Sequence, residues 1–190
     1  MTVAVAGLAF ALAANWISPR GLELGRNYFP GASRPLPQPG GTTNAPNPTV
    51  PAQLAARIQA QGLHVITGPE VHRLFQDPRY AQELVVFVDA RNQAQYRQGH
   101  IPGAYPFDHY RAMEELPNVL PACLNAEQVV VYCTGGDCED SEFSAITLRD
   151  AGVPADRLFV FIGGITEWTA EGYPVETGER QSGMMRSPTQ

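Results

Sequence analysis

The sequence predicts an α/β fold in which a parallel sheet is flanked by helices. Three uninterrupted apolar runs, each typical of a strand covered on both faces, lie at residues 84–88, 128–132 and 158–162. Helical patterns follow the second and third runs, at residues 142–150 and 165–171. Buried strands that alternate with helices form parallel sheets with right-handed crossovers. In such sheets the reactive loops lie at the carboxyl ends of the strands.

The globular part is predicted to begin with a helix over residues 52–60, in which Leu54 and Ile58 form an i, i+4 apolar pair. Residues 63–66 are predicted to form a short strand. A second helix is predicted to begin after Thr67, because a threonine followed by a proline and a glutamate in the first turn is typical of a helix start.

The composition predicts an acidic globular protein and excludes some partners. The 190-residue chain is 44% hydrophobic and 9% aromatic, which suffices for a core and excludes disorder throughout. Its formal net charge is −6, and all 13 basic residues are arginines. Nucleic acid is not an expected partner, because no basic cluster is present to meet phosphates. Three cysteines form no closed disulfide framework, and the odd number points to thiol chemistry or burial.

Residues 1–19 form an apolar segment with three competing interpretations. A membrane anchor is favoured, with Trp16 at the interface and Arg20 and Arg26 on the cytoplasmic side, although a spanning helix needs about 20 apolar residues. A signal peptide is the second interpretation, since small residues around Ala13 fit a cleavage site, and it would make the protein exported or periplasmic. The basic region that precedes such a segment is missing, however. The third interpretation is a buried N-terminal helix.

The remaining chain divides into three segments. Residues 20–51 are rich in proline and glycine and are expected to form an extended linker. Residues 52–177 are expected to form the α/β domain, and residues 178–190 a disordered polar tail. The N-terminal segment would then hold the domain near a membrane.

A cysteine directly after the second buried strand carries the strongest chemical signal. The residues that follow Cys133 are Thr134, Gly135, Gly136, Asp137 and Cys138, and a helix start comes next. The backbone N–H groups of such a loop and of the first helical turn can converge on the sulfur, and the helix dipole favours a thiolate. The arrangement therefore predicts a stabilised anionic sulfur rather than a buried cysteine that merely ends a strand.

Three separated motifs accompany this cysteine in the sequence. They are VFVDAR at residues 86–91 with YRQGHIPGA at 96–104, VYCTGG at 131–136, and GGITEW at 163–168 with EGYPV at 171–175. In their order and spacing, over about residues 62–176, they resemble the rhodanese-like (sulfurtransferase) domain family. Each motif alone is weak evidence, but the three together are specific.

The resemblance implies a rhodanese-like sheet and a nucleophilic Cys133. In the family, the thiolate takes the outer sulfur of a donor such as thiosulfate or mercaptopyruvate and passes it from a persulfide to cyanide or a thiol. The expected partners are therefore a small sulfur-containing substrate and a thiol acceptor, a protein thiol included. Residues 134–138 are expected to bind the substrate and the persulfide. Neither a metal nor an organic cofactor is expected.

The same resemblance implies structural roles for several other residues. Asp89 and Arg91 are expected to pair and to organise the loops at the strand ends, with substrate contact as the alternative. His100 is expected to satisfy backbone groups of a turn, and Trp168 to pack in the core under the loop. No general base is assigned.

The loop departs from the family pattern in its charge. Thiosulfate-type members usually carry a basic residue near the end of the loop, whereas residues 137–142 contain four acids and no base. Acids at a helix N-terminus stabilise it by about 0.3–1 kcal/mol each. Alternatively, they repel a dianion such as thiosulfate, so that the donor is a thiol or protein persulfide.

Cys138 is a second departure, and it leaves other functions open. Across so short a loop it could attack a persulfide or sulfenate on Cys133 and leave a disulfide, or it could simply fill space. The alternatives to sulfur transfer are therefore a thiol-redox protein that uses Cys133 and Cys138, and a non-catalytic binding or sensing module.

Phosphatase activity is disfavoured by the same loop. Phosphatases of this fold need Cys-x5-Arg, and Glu139 stands where that arginine would be.

Overall fold

A computed structural model describes residues 50–186. The apolar segment predicted at residues 1–19 lies outside the described residues, as does the predicted linker up to residue 49. Among residues 50–186, no helix is long and apolar enough to span a bilayer.

Five parallel strands form the central sheet. They are β1 (His64–Ile66), β2 (Val85–Asp89), β3 (Tyr105–Pro106), β4 (Gln128–Tyr132) and β5 (Leu158–Phe161). Their order across the sheet is β1-β5-β4-β2-β3, and every neighbouring pair is parallel. The predicted α/β class and the predicted parallel arrangement are therefore confirmed.

Seven helices accompany the sheet within residues 50–186. They are α1 (Val50–Ala60), α2 (Gly68–Gln76), α3 (Pro78–Ala81), α4 (Gln93–Gln98), α5 (Ala112–Asn125), α6 (Asp140–Asp150) and α7 (Gly164–Ala170). Helices α1, α2, α6 and α7 confirm the four helices predicted from the sequence. At the start of α2, the backbone N–H of Thr67 donates to the Glu70 carboxylate over 3.0 Å, as expected of a capped helix.

The sheet separates two hydrophobic cores. Strand β4 contributes side chains to both of them, from alternate positions. Val129 and Val131 pack on one face, with apolar residues of α1, α5 and α6. Val130 and Tyr132 pack on the other, with residues of α2 and α7. Because consecutive side chains of a strand point to opposite faces, an unbroken apolar run is what a sheet covered on both sides requires.

Helix α5 falls where no element was predicted, and it contains Pro117 and Pro121. Proline inside a helix removes one backbone hydrogen bond and is expected to break the pattern. The helix forms nonetheless, since Val119 and Cys123 are fully buried against the sheet. Tertiary packing thus outweighs the local cost.

The chain after Gly178 differs from the prediction of a disordered tail. Strands β6 (Val175–Glu176) and β7 (Met185–Arg186) form an antiparallel pair. Between them, the Arg180 Cζ lies 3.7 Å from the centroid of the Tyr105 ring, and the Arg180 Nη2 lies 2.5 Å from the Glu83 carboxylate. A cation–π contact, an ion pair and strand pairing together order this segment up to residue 186.

Candidate active site

The register of β2 and β4 brings two predicted sites to one edge of the sheet. Asp89 and Tyr132 are register partners, and Ala90 N–H donates to the Tyr132 carbonyl over 2.7 Å. Cys133, the next residue after β4, therefore lies beside the loop that carries Arg91. Both segments leave the sheet at its carboxyl end, where the sequence predicted the reactive loops.

The loop after Cys133 needs glycine at Gly135. This residue has φ of +104°, in a region that other residues rarely adopt. A Cβ atom there would lie 2.1 Å from the Gly163 carbonyl oxygen. The absence of a side chain thus permits close contact between the loop and the segment that begins α7.

The N-terminus of α7 binds the cysteine loop through backbone hydrogen bonds. Ile165 N–H donates to the Cys133 carbonyl over 2.9 Å, and Thr166 N–H donates to the Thr134 carbonyl over 3.1 Å. A Cβ on Gly164 would lie 2.5 Å from the Cys133 carbonyl oxygen, so this position also requires glycine. These contacts explain why the Gly-Gly motif accompanies the cysteine motif.

Trp168 lies in the core, as the sequence analysis expected. Its side chain is 1% exposed, and its indole N–H donates to the Pro174 carbonyl over 2.8 Å. This bond ties α7 to the segment that leads into β6.

Hydrogen-bond donors surround the Cys133 sulfur. The Ser141 hydroxyl donates to Sγ over 3.5 Å, and the Cys138 thiol and the N–H groups of Gly135 and Ser141 are placed to lower the pKa of Cys133. In its protonated form the Cys133 thiol donates to the Cys138 carbonyl over 3.3 Å. Ser141 lies in the first turn of α6, and the sequence analysis did not single it out.

These donors set opposite ionisation tendencies for the two loop cysteines. The hydrogen bond from Cys138 is the largest cause that holds the pKa of Cys133 below its usual value, and the bonds from Ser141 and the backbone add to it against burial. The same shared proton raises the pKa of Cys138, and burial raises it further. Cys133 is therefore the thiolate of the pair, and Cys138 is the thiol.

Asp89 and Arg91 form a buried bidentate pair. Arg91 Nε and Nη2 donate to the Asp89 carboxylate over 2.9 and 2.6 Å, and the Arg91 N–H donates to the same carboxylate over 3.0 Å. Arg91 Nη2 also donates to the Gly99 carbonyl over 2.7 Å. The pair thus links the end of β2 to the turn that follows α4.

His100 is fully buried, and both of its ring nitrogens are engaged outside the Cys133 loop. Nδ1 lies 2.9 Å from the Tyr96 carbonyl oxygen, and Nε2 lies 3.2 Å from the Glu176 carboxylate. The ring also stacks on Tyr96, with a centroid separation of 3.8 Å. These contacts connect the turn after α4 to β6.

Helix α1 supplies the positively charged side chain that the loop itself lacks. Arg57 donates to the buried Glu142 carboxylate from Nε over 2.8 Å, and its Nη2 lies 2.6 Å from Glu139. The other two acids, Asp137 and Asp140, form no ion pair with any residue from 50 to 186. The sequence analysis missed Arg57, since it stands 85 positions before Glu142 and belongs to no local motif.

Two concave surfaces adjoin the loop on different sides. One, of about 200 Å³, is lined by Gln53, Leu54, Arg57, Asp137 and Glu139. The other, of about 280 Å³, includes Thr134, Arg91, Thr166 and Arg186. Within the described part of the chain, no cluster of three or more His, Cys, Asp or Glu side chains is placed to bind a metal ion.

A cysteine held as a thiolate at the end of a parallel strand, inside a loop of backbone donors, defines a class of thiol-dependent α/β proteins. The model of the family described as the rhodanese-like domain matches residues 68–171, more than half of the chain. The chain therefore belongs to the rhodanese-like domain family.

Three known proteins illustrate the range of this similarity. An HTH-type transcriptional regulator of Mycobacterium tuberculosis is 34% identical over 94 residues, which are 50% of this chain and 38% of the regulator. A tRNA uridine(34) hydroxylase of Sodalis glossinidius is 36% identical over 110 residues, 55% of this chain and 28% of the hydroxylase. The crystal structure of a thiosulfate sulfurtransferase from Pseudomonas aeruginosa superimposes with a TM-score of 0.51 at 23% identity, covering 69% of this chain and 24% of that one.

These three proteins resemble the same part of this chain, but their names describe different activities. The chain spans less than two fifths of the length of either curated relative. The likeness to the sulfurtransferase structure establishes the fold. The activity has to be argued from the residues of this chain.

Replacing Ser141 with alanine should raise the pKa of Cys133. A lost hydrogen bond to a charged group such as a thiolate is worth about 1.5–3 kcal/mol, which corresponds to a pKa higher by roughly one to two units. The measurement is the pH dependence of alkylation of Cys133 by iodoacetamide, followed by peptide mass spectrometry. The thiolate reacts and is lost as the pH falls through the pKa, so the Ser141→Ala profile should move to higher pH.

Ser144→Ala supplies the matched control, because Ser144 is a buried serine of the same helix whose hydroxyl donates to the Phe107 carbonyl over 3.3 Å. Its profile should coincide with that of the unaltered protein. Equal displacement of both profiles would show that Ser141 acts on the helix and not on the sulfur.

Proposed function

We propose that the protein is a sulfurtransferase that carries sulfane sulfur as a persulfide on Cys133. The observation that supports this most directly is the set of donors around one buried sulfur, formed by Gly135, Ser141 and Cys138. They lower the pKa of Cys133, so the nucleophile is present at neutral pH without a general base. Membership of the rhodanese-like family supports the same chemistry.

The transfer is proposed to occur in two half-reactions. The Cys133 thiolate attacks the outer sulfur of the donor, a new S–S bond forms, and the rest of the donor leaves with the bonding electron pair. An acceptor thiolate or cyanide then attacks the outer sulfur and releases the Cys133 thiolate. The backbone of residues 134–138 is proposed to surround the outer sulfur and to disperse its negative charge, without a metal or organic cofactor.

The donor is proposed to be a persulfide of a thiol rather than thiosulfate. Within residues 50–186, Arg57 pairs with Glu139 and Glu142 but not with Asp137 or Asp140, so these two acids still place negative charge at the loop. A dianion approaching this loop is repelled more than a singly charged or neutral persulfide. The acceptor is proposed to be a thiol, a protein thiol included.

We also propose, from the sequence, that residues 1–19 attach the protein to a membrane. An anchored domain should sediment with membranes and be released by detergent but not by high salt. An exported protein should instead appear in a soluble fraction with a shortened N-terminus. Fractionation of cells expressing the full chain, with intact mass measurement, separates these two outcomes.

Exposure of the full chain to a sulfur donor should add one sulfur atom to Cys133. Thiosulfate, mercaptopyruvate and glutathione persulfide are compared by intact mass, and the added sulfur should disappear when cyanide or a thiol is supplied. Cys133→Ser should gain none. A gain that survives this substitution would place the chemistry elsewhere. If no donor causes either a gain of sulfur or a loss of two hydrogens, a binding or sensing module would be favoured.

Removing the Asp137 charge should improve the use of thiosulfate. Asp137→Asn should raise kcat/KM for thiosulfate about threefold to tenfold at low salt, because one charge near the sulfur is worth about 1 kcal/mol in a solvated loop. The gain should shrink at high ionic strength, where exposed charges are screened.

Asp156→Asn is the matched control for this charge effect. Asp156 is also exposed but lies just before β5, at the opposite end of the sheet. It should leave kcat/KM for thiosulfate unchanged. An equal gain in both variants would mean that net charge, and not the field at the loop, limits the reaction.

A further inference from the structure

Cys138 is the one group beside the Cys133 sulfur, within residues 50–186, that can itself form a covalent bond to it. Its side chain is half-buried, and its carbonyl oxygen lies 3.3 Å from the Cys133 Sγ. Cys123, the third cysteine, lies in the core on α5. Cys138 thus already lies in direct contact with the Cys133 sulfur, through its backbone, before any donor has reacted.

We propose that Cys138 resolves the Cys133 persulfide and releases its outer sulfur as sulfide. This inference rests on the proposed persulfide on Cys133 and adds a second activity to it, the reduction of sulfane sulfur. The substrate class is that of the proposed donors, the persulfides of thiols. The reductant consumed in each turnover is the Cys133–Cys138 dithiol of the protein.

The loop holds Cys138 in position for this attack. Cys138 N–H donates to the Gly135 carbonyl over 3.4 Å, which folds the loop back toward Cys133. On its other side, the Cys138 thiol donates to the Asp140 carboxylate over 3.5 Å. The thiol is therefore oriented by groups of the loop and of the first turn of α6.

The different ionisation of the two cysteines sets the order of events. Cys133 is the thiolate and reacts with the donor first, while Cys138 keeps its proton. Once the Cys133 sulfur carries the outer sulfur, it no longer competes for that proton. Asp140 then remains as an acceptor that positions the Cys138 thiol, and it acts as a positioning residue.

The step balances without an external oxidant. The Cys138 sulfur bonds to the Cys133 sulfur, and the bond between the Cys133 sulfur and the outer sulfur breaks. The outer sulfur leaves with the bonding electron pair and with the Cys138 proton, as hydrosulfide. Cys138 is oxidised, the outer sulfur is reduced, and a Cys133–Cys138 disulfide remains. A thiol reductant then restores the dithiol.

The test follows one loaded persulfide in the absence of added thiol. The full chain, Cys138→Ser, Cys138→Ala and Cys123→Ala are each treated with glutathione persulfide until the intact mass shows one added sulfur, and the donor is then removed. Hydrosulfide release and intact mass after rapid alkylation are recorded over time. Loading itself shows that each variant is folded around a reactive Cys133.

The unaltered chain and Cys123→Ala should lose the added sulfur, release one equivalent of sulfide, and become two hydrogens lighter than the reduced protein. Both Cys138 variants should keep the added sulfur about tenfold longer, since no internal thiol attacks it. Equal persulfide lifetimes in all four proteins would overturn the resolving role and leave sulfur transfer intact. Failure of every protein to gain sulfur would overturn the proposed function as well.

Discussion

The close backbone contact between the cysteine loop and the start of α7 is the constraint on which the site depends. The peptide of Gly135 passes so near the Gly163 carbonyl that no side chain fits between them, and two α7 N–H groups bind the carbonyls of Cys133 and Thr134. The contact directs those carbonyls toward α7 and fixes the backbone beside the sulfur. There the N–H of Gly135 helps to lower the pKa of Cys133. An electrostatic property of one atom thus follows from how tightly two glycine segments pack.

The sheet supplies the second level of organisation, because its register brings separate segments to the same edge. With Asp89 level with Tyr132, the pair formed by Asp89 and Arg91 stands beside the cysteine loop and connects β2 to the turn after α4. His100 continues this connection to Glu176. A network of buried charged groups therefore surrounds the site without supplying a base to it, which suits a nucleophile that is already ionised.

Local pattern was sufficient for the buried strands, the capped helices and the reactive cysteine, because each is encoded by residues adjacent in sequence. It failed where partners are remote. Arg57 reaches Glu142 from a helix that shares no motif with the loop, and Arg180 orders the chain after Gly178 by contacts with Glu83 and Tyr105. Helix α5 was missed for the opposite reason, since its two prolines give a clear local signal that burial against the sheet overrides.

The contact between Arg57 and Glu142 also bears on where the functional unit begins. The family similarity starts at residue 68, yet α1 precedes that point and supplies Leu54 and Ile58 to the core as well as the partner of a buried carboxylate. At the other end, Ser182 and Gly183 bind Glu176 beyond the last matched residue, 171. A fragment cut at residues 68 and 171 would leave the buried Glu142 carboxylate without Arg57, and it would remove Glu176, the partner of the buried His100 ring. The unit that folds is therefore larger than the unit that relatives share, and the added margins are where this chain can diverge from them.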